Sequence, residues 1–563
     1  MLSLHGFSAA FLLDRPMSLQ RIPLKNVVVL GFMLLYLGTG LLAYDDYGIS
    51  TDEFVQRQHA LVSMKYLLDL LQLHELAAHA RFANLPALAD YAHQSYGVVF
   101  HMPLMVLEML FDLDHEQSIL WRMRHLYTFI WFFTGSLFFY ALLNQLYGWR
   151  LALVGWLMLV LSPRIFANSF YNVKDTAFLA VVCFVLYAAL RFLRRQTLLD
   201  ALLLALATAI AINVRFAGVM LLAFVFLVIT LDWCFARTWP TRRALGTLVL
   251  LAGLTALLVL ALWPAAWRNT VSFLIDTFVL STNYTKWKGT TVFLGTLIQD
   301  SMTPWNYISV WMLLTTPLSY TLLFGVGLWA AAHRFLRADG WDQAWLGSRE
   351  QVFFMLLLFV PLVLVVALNS TLYGDWRHLY FVYPALLTLA VGGLQAAMQQ
   401  RQVWYQAGRA WMARLCTVLL LACMGHMAFT GSWICRNHPH QQVYFNALAG
   451  QHVAKRFDRD IWGLSARDGI EFILLHDSRQ HIRVSGDHVI QNLRMLDAVS
   501  RARIEPVLRS DEWDYEVVTY RNVIGDLSEP PFWTPFYTVE VDGTPIMTVI
   551  RSNRNSVTKS VVP

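Results

Sequence analysis

Apolar residues occur along this chain in long runs, and short polar segments separate them. Each run is about 20 residues long, which is the length that an α-helix needs to cross the hydrocarbon core of a bilayer. We therefore predict a polytopic membrane protein with about eleven spans. The spans begin near Asn26, Arg122, Trp149, Thr176, Leu198, Phe216, Leu245, Val310, Gln351, Leu379 and Trp411.

Lysine and arginine are concentrated in alternate connecting segments, such as the one that carries Arg191, Arg194 and Arg195. Positively charged loops usually remain on the cytoplasmic side of a membrane, so we predict that side for these segments. The opposite, outer side then receives residues 45–120, 162–175, 264–308, 369–378 and the chain after 432.

Two segments between or after the runs have the patterns of other elements. Residues 52–71 have the spacing of an amphipathic helix lying in the membrane interface, and the apolar stretch 98–111 is too short to span. After about residue 437 charges become frequent and period-2 alternation appears. It predicts a hairpin from residues 537–540 and 545–550, helices from 466 and over 489–499, and strands near 482–484 and 515–519.

We therefore divide the chain into a transmembrane domain, 1–435, which includes the large outer loop 45–120, and a small soluble α/β domain, 436–563. We expect the first apolar run to be an uncleaved span rather than a signal peptide.

Composition and charge narrow the possible functions. Hydrophobic residues make up 57% of the chain, charged residues 14%, and the mean hydropathy is +0.48, which excludes an ordinary soluble protein. The net charge of +6 is spread over the cytoplasmic loops, so we expect no nucleic acid partner. Four of the five cysteines fall in or beside apolar runs, and the sequence predicts neither a disulfide framework nor a cysteine metal site.

An acidic pair, Asp52 and Glu53, follows the first apolar run directly. Ser50 stands three residues before Glu53, which forms a capping box and explains Glu53 as a helix-start residue. Capping does not explain Asp52, whose carboxylate the helix dipole would keep ionised as a possible base. Asp46 lies nearby and is expected to shape the same acidic pocket.

A second polar segment lies at the outer end of the third run and contains Arg164, Asn172, Lys174 and Asp175. Two cations, amides and an acid between apolar helices are typical of an anion-binding loop. The alternative is ordinary helix capping with charged ends that extend to the interface. For Lys174 and Asp175 we favour a functional role.

Further cations stand in tight outer turns, where an unpaired charge is costly in a membrane. Arg215 and Arg377 are candidates for contacts to a phosphate, with an interfacial anchor as the alternative for Arg215. Beside Arg377 we include His378 in the candidate pocket. Tyr284, Lys286 and Lys288 alternate aromatic and basic groups, which suits either lipid phosphates or simple anchoring in the aromatic belt.

The segment after the last run completes the candidate pocket with His438, Tyr444 and Asn446. His438 and His440 could together ligate a metal, but no partner cysteine or HExxH spacing accompanies them. We therefore predict no metal site and no required cofactor, with a divalent cation such as Mg²⁺ or Mn²⁺ as the alternative.

The acidic pair before an amphipathic helix, the charged loop after the third run and the terminal soluble domain together resemble the GT-C superfamily of glycosyltransferases. That group includes aminoarabinose transferases of lipid A and protein O-mannosyltransferases. The resemblance implies a GT-C fold in a bacterial inner membrane, with the active site and the C-terminal domain on the periplasmic side. The segment 438–446 and Trp462-Gly463 also resemble uncharacterised bacterial members.

The resemblance also implies an activity, the transfer of one sugar from undecaprenyl phosphate to an acceptor hydroxyl, with inversion. Asp52 would take the acceptor proton, and Lys174, Arg215 and Arg377 would stabilise the departing phosphate, with Lys286 and Lys288 nearby. Glu53 and Asp175 would complete the catalytic acids. The partners would be a polyprenyl-phosphate-linked sugar, a glycan, lipid or protein acceptor, and membrane lipids.

Two other functions are consistent with a polytopic chain of this kind. A lipid-linked glycan ligase or polymerase also uses a prenyl carrier, but would depend more on outer arginines and histidines than on Asp52. A secondary transporter usually places ionisable residues near the bilayer midplane and shows repeated halves, which this sequence lacks. No glycine-rich nucleotide-binding loop is present.

Overall fold

The helices and strands are those of a computed structural model, which describes residues 23–235, 241–282, 287–525, 527 and 533–552. The α-helices are α1 (Leu24–Ala43), α2 (Thr51–Leu70), α3 (His74–Ala77), α4 (His101–Leu110), α5 (Gln117–Tyr147), α6 (Trp149–Val160), α7 (Pro163–Tyr171), α8 (Asp175–Arg195), α9 (Leu198–Val214), α10 (Val219–Phe235), α11 (Arg242–Ala261), α12 (Thr270–Thr282), α13 (Tyr307–Thr315), α14 (Leu318–Leu336), α15 (Trp341–Ala367), α16 (Tyr383–Gln406), α17 (Ala410–Arg436), α18 (Val453–Arg456), α19 (Ala466–His476), α20 (Val489–Asn492) and α21 (Ala498–Ala502).

Seven strands complete the regular structure. They are β1 (Thr290–Phe293), β2 (Thr296–Gln299), β3 (Ile482–Gly486), β4 (Ile504–Pro506), β5 (Tyr515–Thr519), β6 (Trp533–Val541) and β7 (Thr544–Ser552). The first two form a small antiparallel hairpin, and the other five form one sheet in the order β4-β3-β5-β7-β6. In that sheet β3 runs parallel to β4 and β5, whereas β5, β7 and β6 are antiparallel neighbours.

Eight helices in the described part of the chain are long and apolar enough to cross a membrane. Two bent pairs, α6 with α7 and α13 with α14, qualify when each pair is taken as one span, with bends of 67° and 117°. The helix α9, with 17 residues, falls just below the length criterion. The chain is thus a multi-pass membrane protein, and the number of about eleven spans stays a prediction.

Proline accounts for both bends, because it cannot donate a hydrogen bond and disfavours a helical conformation in the residue before it. Pro163 occupies the first turn of α7, and Pro317 precedes α14. The helix α7, which follows the 67° bend, is buried along its whole length. Its last residue, Tyr171, therefore leads directly into the buried segment that precedes α8.

The centre of the bundle is α8, nearly all of whose side chains are buried. It packs against α5 and α9. Close backbone approach is achieved elsewhere in the bundle by small residues, as in membrane helix pairs generally. A Cβ atom on Gly393 of α16 would lie 2.0 Å from the carbonyl oxygen of Leu323 in α14, so this contact requires glycine.

The predicted helix over 52–71 is confirmed as α2, which the capping box of Ser50 and Glu53 begins. Its polar residues are not turned to solvent, because Glu53, Gln56 and His59 are buried beside the apolar ones. The carboxylate of Glu53 can be buried because it pairs with His125. The helix is therefore packed inside the outer loop, rather than only resting on a surface.

The predicted strands and hairpin of the terminal domain are confirmed as β3, β5, β6 and β7, and the helix from 466 as α19. The single helix predicted over 489–499 is wrong. Asp497 accepts hydrogen bonds from the backbone N–H groups of Val499 and Ser500, at 2.9 and 3.0 Å, and so starts the separate helix α21. An aspartate N-cap competes with continuation of the preceding helix.

Arg459 ties the start of this domain to the sheet. Its buried guanidinium donates to the carbonyl oxygens of Pro545, Val523 and Gly525, at 2.7, 3.3 and 2.6 Å, and lies 4.0 Å from the ring of Tyr520. One side chain thus satisfies three acceptors from two segments.

We predict that Arg459→Met destabilises the terminal domain by about 3 kcal/mol or more, because it leaves three carbonyl acceptors without their charged donor. The measurement is thermal unfolding in detergent, with proteolysis of the terminal domain as the second readout. Arg483→Met is the control, since Arg483 is 40% exposed and pairs with the exposed Glu512. Equal unfolding temperatures for the two variants would contradict the role of Arg459.

Candidate active site

The two acids at the start of α2 have different roles: Glu53 makes structural contacts, and Asp52 faces the candidate site. Glu53 accepts from the backbone N–H of Ser50 at 2.8 Å, and its other oxygen lies 3.1 Å from Nε2 of His125. Both side chains are fully buried. Glu53 therefore fixes the first turn of α2 against α5, while Asp52 points toward the segments around Lys174 and Arg377.

A deeper ion-pair network holds the same helix. Glu108 of α4 is fully buried between Arg57 of α2 and Arg124 of α5, at 2.8 and 2.6 Å. A buried charge remains stable only when it is paired and hydrogen-bonded, and here each oxygen of Glu108 has its own guanidinium. The helices α2, α4 and α5 are thereby held together near the start of α2.

Asn172 shapes the turn that presents Lys174 and Asp175. Its side-chain oxygen, Oδ1, accepts hydrogen bonds from the backbone N–H groups of Asp175 and Lys174, at 2.8 and 3.3 Å. Its amide nitrogen donates to Oδ2 of Asp175 at 3.2 Å and to Oδ1 of Asn168 at 2.9 Å. The predicted pocket residue Asn172 is therefore a positioning residue beneath the two charges.

The structure brings Asp52, Lys174, Asp175, Arg215 and Arg377 into one cluster. Nη1 of Arg377 lies 3.1 Å from Asp52 and 2.9 Å from Asp175, so one nitrogen bridges both carboxylates. Arg215 pairs with the other oxygen of Asp175, and Nζ of Lys174 lies 4.0 Å from Asp52. Three cations face two anions, which leaves the cluster with one excess positive charge.

The cations keep Asp52 ionised. Burial by itself raises the pKa of the Asp52 carboxyl, but Lys174 and Arg377 lower it by more, so the pKa lies below its ordinary value. The negative charge of Asp175 opposes this effect, and Arg215 adds to it. At neutral pH Asp52 is therefore a carboxylate that can accept a proton.

Aromatic rings surround the cations of the cluster. The guanidinium of Arg377 lies 4.5 Å from the ring of Trp462 and 4.8 Å from that of Tyr373. Nζ of Lys174 lies 4.3 Å from the ring of Tyr96. Such contacts hold a cation in place while leaving its N–H groups free to bind an anion.

The sequence analysis did not assign Tyr96, Tyr373 or Trp462 to the site. Trp462 was noted only for a family resemblance. Each comes from a different segment, and an aromatic residue in a polar loop is too common to indicate a cation partner. The only local signal is at Tyr373, which stands four residues before Arg377.

Two cations of the cluster, Lys174 and Arg215, line a cavity of about 540 Å³. Lys174, Arg215 and His378 line its polar end, and the rest of its wall is mainly apolar. That apolar wall includes Phe216, Val219, Met220, Phe278, Pro361, Leu364, Val365 and Leu368. The cavity therefore combines cationic groups with a mainly apolar wall, and His378 is one of its lining residues.

The predicted pocket residues Arg164, Tyr444 and Asn446 make contacts that connect distant segments of the chain. Arg164 pairs with Asp375 at 2.8 Å and donates to the carbonyl oxygen of Tyr444 at 3.0 Å. The amide nitrogen of Asn446 donates to the carbonyl oxygens of Leu313 and Thr316, where α13 ends. The structure does not place these three predicted pocket residues in contact with the charge cluster.

Asp46 and His438 contact each other at 2.7 Å, and Asp46 is half exposed. They join the loop before α2 to the segment after α17. Lys288 is exposed in the approach to β1. Tyr284 and Lys286 lie outside the described residues, so their roles stay predictions.

One grouping of potential metal ligands occurs among the described residues, and it lies away from the cluster. His79, Asp112 and Asp114 bring their ligand atoms within 4.8 Å of one another. Arg81 already pairs with Asp112 and Asp114, at 3.1 and 2.9 Å, and so compensates their charge. The prediction that no metal is required stays a prediction.

The terminal domain holds the segment that leads into Asp52. Asn492 is fully buried, accepts from the backbone N–H of Ile49 at 2.9 Å and donates to the carbonyl oxygens of Gly463 and His488. Arg467 donates to the carbonyl oxygens of Asp45 and Tyr47. The soluble domain is therefore part of the framework of the site.

No protein-family model and no curated protein matches the chain. Among solved structures it is similar to ArnT from Cupriavidus metallidurans in the apo state, at 15% identity and TM-score 0.47, over 93% of this chain and 98% of that one. ArnT bound to undecaprenyl phosphate matches at 14% identity and TM-score 0.45, over 93% and 97%.

The apo oligosaccharyltransferase of Archaeoglobus fulgidus matches at 10% identity and TM-score 0.40, over 74% of this chain and 57% of that one. None of these scores reaches 0.5, so the function proposed below rests on the site. The helical membrane architecture with a small C-terminal sheet domain agrees with the architecture expected from the sequence.

We predict that Asn492→Ala loosens the segment before Asp52, because the backbone N–H of Ile49 loses its acceptor. Hydrogen exchange at Ile49 should become about tenfold faster, as expected for the loss of one hydrogen bond. The control is Gln491→Ala, which changes a neighbouring, partly buried side chain in the same helix. Unchanged exchange at Ile49 in the Asn492 variant would contradict the framework role of the terminal domain.

Proposed function

We propose that this protein is a GT-C type glycosyltransferase that moves a sugar from a polyprenyl phosphate to an acceptor hydroxyl, with inversion at the anomeric carbon. The observation that carries the proposal is the ionised Asp52 in a cluster with Lys174, Arg215 and Arg377, of which Lys174 and Arg215 line a mainly apolar cavity. The cations suit the phosphate of such a donor, the apolar cavity suits its prenyl chain, and Asp52 supplies a base.

The cavity suits an anionic head with an apolar chain. Lys174 and Arg215 line its polar end, where N–H groups of both cations can bind phosphate oxygens. Met220, Phe278 and Leu364 lie among the apolar side chains that would contact the first isoprene units. Burial of such a chain is favourable in proportion to the apolar area removed from water.

The chemical step that the cluster supports is a single displacement. Asp52 accepts the proton of the acceptor hydroxyl, and the hydroxyl oxygen forms a bond to the anomeric carbon. The bond between that carbon and the phosphate oxygen breaks, and its electron pair remains on the lipid phosphate. Lys174, Arg215 and Arg377 stabilise the charge on this leaving group. A displacement in one step inverts the configuration.

The cations also link donor binding to the strength of the base. A low pKa makes Asp52 a weak base, and the proximity of Lys174 and Arg377 is what lowers it. A phosphate bound to the same cations adds negative charge beside Asp52, which raises the pKa of its carboxyl. Asp52 thus becomes a stronger base when the donor is in place.

Asp175 acts as a positioning residue in this scheme. It pairs with both Arg215 and Arg377 and so aligns two donors toward one place. Its oxygens are already occupied by Asn172 and the two arginines, whereas Asp52 is 18% exposed at its side chain. The more accessible carboxylate is the one we assign to proton transfer.

We also propose the setting of the reaction. The distribution of Lys and Arg among the connecting segments supports an outward-facing site and terminal domain, in a bacterial inner membrane. The acceptor is then a glycan, lipid or protein on the periplasmic side. No part of this scheme requires a cofactor.

We predict that Asp52→Asn lowers the rate of sugar transfer by about 10² to 10⁴, the usual contribution of a general base. Transfer is measured with a panel of undecaprenyl-phosphate monosaccharides and cell-envelope extract as acceptor. Asp69→Asn is the matched control, because Asp69 is an exposed carboxylate at the far end of α2. Full activity of the Asp52 variant would contradict its assignment and favour a ligase that depends on arginines.

A second prediction concerns the phosphate. Arg215→Gln should weaken the binding of undecaprenyl phosphate by about tenfold to a hundredfold, since a charged hydrogen bond is lost. The dissociation constant is measured in nanodiscs. Arg268→Gln is the control, because Arg268 is exposed and does not line the cavity. An unchanged constant for Arg215→Gln would remove this arginine from the phosphate site.

A further inference from the structure

A second cavity of about 280 Å³ adjoins the first. Ser95 and Leu280 line both cavities, so the two spaces meet at these residues. The second cavity lies between the outer loop and α12, and none of the five residues of the charge cluster lines it. Its wall consists of Asp90, Tyr91, Ala92, Gln94, Ser95, Phe273, Asp276, Thr277 and Leu280.

Two hydroxyl groups in this wall have no partner among the residues that the structure describes. Tyr91 is 7% exposed and Thr277 is 2% exposed, and neither Oη of Tyr91 nor Oγ1 of Thr277 has a hydrogen-bond partner. A buried hydroxyl without a partner costs free energy, and a ligand can recover this cost where the hydroxyl lines a cavity. Both residues line the cavity, where a ligand can supply the missing hydrogen bonds.

Carboxylates add to the polar side of the cavity. Asp90 and Asp276 both line it as exposed carboxylates, and Asp276 accepts a 3.3 Å hydrogen bond from Ser272. The ring of Tyr91 is held in place by stacking on His59, at a centroid distance of 5.7 Å. Phe273 supplies a second aromatic surface.

This set of groups selects one class of ligand. Two carboxylates repel a phosphate, and beside a prenyl chain the hydroxyls of Tyr91 and Thr277 would stay without hydrogen-bond partners. A sugar ring carries several hydroxyl donors for carboxylates and hydroxyl oxygens, and C–H faces that pack on aromatic rings. Both kinds of contact are available in the second cavity.

We propose that the second cavity is a sugar subsite, in which Tyr91, Thr277, Asp90 and Asp276 bind the ring hydroxyls of a substrate. The proposal rests on the proposed function, since it assigns the part of a substrate that the phosphate site does not hold. The ring belongs either to the donor sugar or to a carbohydrate acceptor. In both cases it enters beside Ser95, next to the phosphate site.

The test removes the two unpartnered hydroxyls together, in the double variant Tyr91→Phe with Thr277→Val. Removal of a buried hydroxyl that has no partner should not destabilise the fold. The matched control is Tyr320→Phe with Thr208→Val, because these two hydroxyls are also buried and unpartnered but line neither cavity. Thermal unfolding establishes that both variants are folded.

Binding is measured by saturation-transfer NMR with a panel of methyl glycosides, which requires neither donor lipid nor turnover. We expect the wild type and the control to bind at least one glycoside, and the Tyr91/Thr277 variant to bind it about tenfold more weakly. Equal binding by both variants, or no binding of any glycoside by the wild type, would overturn the subsite.

Steady-state kinetics then distinguish the two sources of the ring. A higher KM for the lipid-linked donor assigns the subsite to the donor sugar, and a higher KM for the acceptor assigns it to the acceptor. Unchanged KM values for both, from an active wild type, contradict the subsite but leave the proposed transferase intact. A wild type that binds glycosides but never turns over contradicts the transferase and leaves the subsite intact.

Discussion

The guanidinium group of Arg377 connects three separate segments of this molecule. Arg377 contacts Asp52 from the outer loop and Asp175 from the start of the central helix α8, and it packs on Trp462 from the terminal domain. Without this cation the buried carboxylate of Asp175 and the partly buried one of Asp52 would lose the guanidinium that bridges them, which is unfavourable for like charges in close proximity. The start of α2, the start of α8 and the terminal domain therefore meet at this one interaction.

The same charge balance explains how a site of this kind can be stable before a ligand binds. The two carboxylates offset two of the three cations, and the aromatic rings of Tyr96, Tyr373 and Trp462 cover the cationic faces. One positive charge remains in excess, so an anion is attracted to the cluster. A network that stabilises the fold thus also prepares the binding of a phosphate.

The local parts of this account were predictable from the sequence. A capping box fixes the start of α2, and the cost of charge at the ends of apolar runs draws attention to Lys174 and Arg215, which the structure brings into one charge cluster. Contacts between distant segments were not predictable. Arg164 and Asn446 have the same local appearance as site residues, but distant carbonyl groups and Asp375 use their polar atoms.

The measurement that tests the central claim most directly is an experimental structure with undecaprenyl phosphate bound. The account predicts phosphate oxygens at about 3 Å from Nζ of Lys174 and from the guanidinium groups of Arg215 and Arg377, with the first isoprene units in the adjoining apolar cavity. A phosphate bound elsewhere, with this cation cluster still closed on Asp52 and Asp175, would contradict it.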